Sequence, residues 1–110
     1  MGLFDSVIAG AVGAEMAVVV NRLIEKHGGV QGLISQFERQ GFGPTVRTWV
    51  GTGANQPITA DQIHRALGPD TVNQLAAKLG IPPAELAKKL TEVLPAAVNT
   101  LTPAGVIPKT

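Results

Sequence analysis

The sequence contains no cysteine. That removes disulfides, thiolate metal ligands and cysteine nucleophiles together, and it fits a reducing, cytoplasmic setting. Charge is scarce too: Asp, Glu, Lys and Arg make up 15% of the chain, against roughly 25% in an average soluble domain. Nine basic residues stand against eight acidic ones, a net charge of +1, so no strong field steers the chain toward nucleic acid or an anionic membrane. A long apolar run is also missing. The opening MGLFDSVIAGAVGAEMAVVV is interrupted by Asp5 and Glu15 and diluted by Gly10 and Gly13. It falls short of the ~18 apolar residues a membrane span needs, and it lacks the basic start of a signal peptide. No integral membrane span is expected. The first six residues match a myristoylation pattern, but no polybasic second signal follows, and an ordinary helix start is the simpler reading.

Catalytic equipment is equally sparse. Catalysis needs a nucleophile, a base and a charge stabiliser gathered in one cleft. The chain has two histidines, His27 and His64. His27 suits a helix C-terminus, where positive charge meets the negative end of the dipole. His64 follows Asp61 at a spacing of three, which lets the two meet on one helix face; the plain reading is a surface pair at a helix start. The carboxylates are scattered, and no HExxH, calcium loop or Glu-x-x-His pair is present. The glycine-rich stretch at 51–57 has no strand before it and no Gly-Lys-Ser/Thr ending, so it reads as a connector rather than a phosphate cradle. We therefore expect no catalytic residues, no metal and no cofactor.

What the chain does have is helical periodicity. Apolar residues recur at three and four in Phe4, Val7, Ile8, Ala11 and Val12, again in Val19, Val20, Leu23 and Ile24, and again in Val30, Leu33, Ile34 and Phe37. Gly28-Gly29 and Gly41 supply stops. Pro44 can open a short helix carrying Val46, Trp49 and Val50. Beyond the loop, Thr59 and Gln62 form a capping box ahead of Ile63, Ala66 and Leu67. Val72, Leu75, Ala76 and Leu79 follow, stopped by Gly80; Pro82-Pro83 then open a last stripe from Leu86 to Leu101. Pro95 should kink that helix or end it near Leu94. The lone tryptophan is expected in the core. The expectation is an all-α, compact multihelical single domain, 1–110, of about six to seven short helices. Its N-terminal helices fall within 1–50, the loop is 51–57, and the C-terminal helices fall within 58–105.

Residues 74–90 resemble a helix-turn-helix within a hairpin near 70–94, with Ala76 at the crossing, Gly80 in the turn, and Ile81 and Leu86 as packing positions. Its second helix opens with Pro82, Pro83, Ala84 and Glu85, none of which reads a base edge well. Lys78, Lys88 and Lys89 are the candidate phosphate contacts if residues 70–90 bind nucleic acid.

Several segments, in order along nearly the whole chain, carry a resemblance: Met1-Gly2-Leu3-Phe4-Asp5, Gly28-Gly29-Val30-Gln31-Gly32-Leu33, Thr48-Trp49-Val50-Gly51-Thr52-Gly53-Ala54-Asn55-Gln56-Pro57-Ile58, Ala66-Leu67-Gly68, Leu75-Ala76-Ala77-Lys78-Leu79-Gly80, Leu94-Pro95 and Leu101-Thr102-Pro103-Ala104-Gly105. Together they resemble the bacterial YidB-like family. The resemblance implies a multihelical bacterial protein and brings no activity or catalytic residues with it.

The low charge, a mean hydropathy of +0.21 and small residues at intervals of four (Ala9, Gly13, Ala17) favour close helix approach and self-association. We expect a non-enzymatic protein-interaction or self-assembly module, its partner another copy or another protein. The candidate self-association residues are Leu3, Phe4, Val7 and Ile8. Nucleic-acid binding is the alternative.

Overall fold

The last turn of a helix leaves carbonyls without partners, and a residue in the left-handed conformation lets the following amides return to them. This chain uses that device at the turn between its fifth and sixth helices. Gly80, at φ 72°, allows the Ile81 amide to donate to the Ala76 carbonyl at 3.1 Å and its own amide to donate to Ala77 at 3.3 Å. The same paired bonds close the helices before Gly28, where Gly29 donates to Ile24 and Gly28 to Glu25, and before Gly41, where Phe42 donates to Phe37 and Gly41 to Glu38. Each glycine stop read from the sequence is thus a physical helix end.

A computed structural model describes residues 9–10, 12–51, 54–102 and 105. Six helices are delimited among the described residues: α1 (Ala14–Lys26), α2 (Val30–Arg39), α3 (Gly43–Arg47), α4 (Ala60–Leu67), α5 (Pro69–Leu79) and α6 (Pro83–Leu101). No strand occurs among the described residues, so the fold is all-α. Gly13, at φ 90°, separates α1 from the helical residues Ala9 and Gly10. The capping box at α4 is formed as expected: the Gln62 amide donates to the Thr59 hydroxyl at 3.1 Å, and the Thr59 amide donates to the Gln62 side chain at 3.0 Å.

Helix α6 is the central strut. α1, α4 and α5 all pack on it, while α2 packs on α1, α3 and α4. One continuous core runs through these contacts, with Trp49, Phe37, Leu23, Leu33, Ile63, Leu86, Leu90 and Leu94 almost fully removed from water. Trp49 meets Phe37 edge to face, with ring centroids 5.5 Å apart, the arrangement the ring quadrupoles favour. Trp49 and Val50 lie past the end of α3, in a run of tighter turns: Trp49 donates to Val46 and Val50 to Arg47.

Helix α6 does not end at Leu94. It continues through Pro95 to Leu101, against the termination that a proline lacking an amide donor would favour. The reason lies in the stripe around it. Leu94, Pro95, Ala97, Val98 and Leu101 are all buried, and the apolar burial of the last turns outweighs one lost backbone hydrogen bond.

Candidate protein-interaction groove

Both α1 and α5 rest against α6, but they make little contact with one another. A groove opens between them. It consists of two adjoining cavities of about 360 and about 140 Å³, which share Arg22, Leu75 and Lys78 in their linings. The floor is apolar: Val18 and Val19 from α1, Leu75 and Leu79 from α5. Val18 is 44% exposed and is the exposed large hydrophobic among the described residues.

Why one valine is left outside follows from helical geometry. Val18, Val19 and Val20 are consecutive, and successive residues of a helix point about 100° apart, so three in a row cannot share one face. Val19 and Val20 join Leu23 and Ile24 in the core, and Val18 points off that stripe.

The walls of the groove carry cations on both sides, Arg22 and Lys26 on α1 and Lys78 on α5, with Glu25 beside Lys26. Among the described residues the ion pairs are Arg47 with Glu38 at 2.7 Å and Arg65 with Asp61 at 2.6 Å; none of the three groove cations has a carboxylate partner there. An apolar floor under unpaired positive charge suits a ligand that is apolar on one side and acidic at its edge.

The helix-turn-helix-like hairpin is present as α5, the Gly80 turn and α6. Ala76 and Leu86 are buried at its crossing, and Ile81 is half-buried. Its three candidate lysines, however, do not form one basic face. Lys78 lines the α1–α5 groove, whereas Lys88 and Lys89 share a shallow depression on α6 with Glu85 and Glu92. Two positive and two negative groups cancel on the surface where a recognition helix would need an excess of positive charge.

The other sequence candidates also have definite places. Asp61 pairs with Arg65, one turn on, rather than with His64. His27 caps α1, its Nδ1 2.8 Å from the Leu23 carbonyl. The described end of the connector, residues 54–57, is tied down on several sides. The Trp49 Nε1 donates to the Gln56 carbonyl at 2.9 Å, the Gln56 backbone amide donates to the Thr48 hydroxyl at 2.8 Å, and the Asn55 side-chain Nδ2 donates to the Pro95 carbonyl at 3.4 Å. Trp49 is therefore the core residue the sequence leads one to expect, and it also anchors the loop. No group of three or more His, Asp or Glu among the described residues is placed to hold a metal ion. No helix of the described residues is long and apolar enough to cross a membrane. Leu3, Phe4, Val7 and Ile8 lie outside the described residues. The groove residues Val18 and Arg22 were not among the sequence candidates; the signal available was the triple valine, which must put one member off the core face.

A model of the YidB-like protein family matches residues 1–110. Over 110 residues the chain is 33% identical to the uncharacterized protein YidB of Escherichia coli (strain K12), covering 96% of this chain and 82% of that protein. Among solved structures, the homeodomain-like protein of unknown function S4005 from Shigella flexneri matches with a TM-score of 0.75 at 28% identity, covering 96% of this chain and 85% of that one.

Proposed function

The chain belongs to the YidB-like family, and on that premise we propose that it is a non-enzymatic protein-interaction module that associates with its own copies. The observation that carries this reading is the α1–α5 groove. An exposed Val18 beside Leu75 and Leu79, under cations with no carboxylate partner among the described residues, is surface a solitary domain gains nothing by exposing. The candidate residues Leu3, Phe4, Val7 and Ile8 supply the apolar counterpart in the same chain.

The test is molar mass in solution, by light scattering behind a sizing column, across a concentration series. Association gives a mass that is a multiple of 11.4 kDa and falls toward 11.4 kDa in Val18→Asp. A wild-type mass of 11.4 kDa at every concentration overturns self-association.

A second reading, nucleic-acid binding, draws on the homeodomain-like description of the Shigella flexneri relative and on the helix-turn-helix-like hairpin that α5, the Gly80 turn and α6 form in this chain. It calls for a salt-dependent complex with duplex DNA that is lost when Lys78, Lys88 and Lys89 are all changed to alanine. The cancelling charges around Lys88 and Lys89 weigh against it.

A further inference from the structure

We infer that the α1–α5 groove of one copy receives residues 3–8 of a second copy, with Asp5 of the incoming segment meeting the Arg22 and Lys78 side of the groove. This rests on the self-association reading and adds the pairing of surfaces that produces it.

Two properties of the two surfaces match. The first is hydropathy. The groove floor is Val18, Val19, Leu75 and Leu79, and the segment has Leu3, Phe4, Val7 and Ile8 within six positions. The second is charge. The groove holds Arg22, Lys26 and Lys78 against the single carboxylate Glu25, whereas residues 3–8 hold Asp5 and no basic side chain. The alternative basic surface, around Lys88 and Lys89, already carries its own Glu85 and Glu92 and offers no apolar floor.

A second copy, rather than the same chain, is the occupant we commit to because of how the segment is attached. Ala9 and Val12 pack against the core, and the Gly13 amide donates to the Ala9 carbonyl at 2.8 Å. The attachment point of residues 3–8 is therefore fixed at the start of α1, while the groove runs down α1 from Val18 to Lys26. Exchange between two copies is a low-cost route to a dimer, since the contact is made twice under two-fold symmetry.

The experiment is a charge swap in the full chain, read by light scattering and sedimentation. Asp5→Lys alone and Lys78→Glu alone each place like charges in contact and are expected to weaken association several-fold, to about tenfold. The double variant, Asp5→Lys with Lys78→Glu, restores the opposite-charge pair in both contacts and recovers most of the wild-type affinity. Both positions bear solvent-compatible charged groups, and circular dichroism of each variant reports retained helix. Recovery in the double variant supports the pairing. A double variant weaker than either single one overturns it. If the wild type associates, Phe4→Asp disrupts it, and Lys78→Glu with Val18→Asp leaves it unchanged, the groove is not the receptor, although self-association stands. A wild type that is monomeric throughout removes both the pairing and the reading beneath it.

Discussion

Thr102 ties the end of the longest helix to Gly51, a residue 51 positions earlier in the chain. Its hydroxyl donates to the Val98 carbonyl at 2.7 Å and accepts the Gly51 amide at 3.0 Å, and both residues are buried. The start of the central connector is thereby fixed to the end of α6. Thr102→Val keeps the shape and removes the hydroxyl, leaving the Gly51 amide buried without that partner. The expected loss is about 1–3 kcal/mol of stability, measured by urea denaturation followed by circular dichroism. Thr102→Ser retains the hydroxyl and should recover most of it.

Gly80 and Gly32 should respond to alanine for different reasons. At Gly80 nothing lies near an added methyl, so the cost is that of holding a side chain in the left-handed region, about 1–2 kcal/mol. Gly80→Asn should cost less, because asparagine tolerates that conformation. At Gly32 an added Cβ would overlap the carbonyl of His27, a backbone group that cannot swing aside. Gly32→Ala should therefore cost more than Gly80→Ala, about 2–3 kcal/mol, with the α1–α2 turn displaced. Thermal melts of the two variants side by side check the order.

Trp49 holds the core and the connector together. Trp49→Ala removes the ring that packs on Phe37 and should cost about 3–5 kcal/mol. Trp49→Phe keeps an aromatic face but loses the bond to Gln56, and should cost less than half as much. Because this is the chain's one tryptophan, the readout is circular dichroism rather than fluorescence.

Duplex DNA should bind weakly. With Lys88 and Lys89 offset by Glu85 and Glu92, the hairpin presents too little net charge to release many counterions. At roughly 150 mM salt no specific shift is expected in a mobility assay, and the Lys78/Lys88/Lys89 triple alanine variant should behave as the wild type. A sequence-selective complex lost in that variant would favour the hairpin as the functional surface.

Features encoded by neighbours in sequence are legible in the sequence itself. The Thr59–Gln62 box, the glycine stops at 28, 41 and 80, and the buried sides of the helices from α1 to α6 depend on spacing within one or two turns. The family, too, was readable from segments such as Thr48-Trp49-Val50-Gly51 and Leu75-Ala76-Ala77-Lys78. Of the two outcomes local rules allow at Pro95, a kink or an end near Leu94, the end does not occur, because burial on α6's packed side carries the helix through to Leu101. Asp61 fits His64 or Arg65 equally by spacing, and only side-chain geometry selects Arg65. The groove was illegible for a related reason. It is a gap between α1 and α5, set by how each leans on α6, and a gap between helices has no periodicity of its own.

The most direct test of the groove as a self-association surface is the solution mass of wild type and Val18→Asp over one concentration series. Val18 is exposed, so the substitution leaves the core intact and the variant should fold. Association through the groove gives a wild-type mass rising to a multiple of 11.4 kDa and a Val18→Asp mass that stays near 11.4 kDa at the same concentrations. Equal masses for the two proteins, whether both associated or both monomeric, would contradict it.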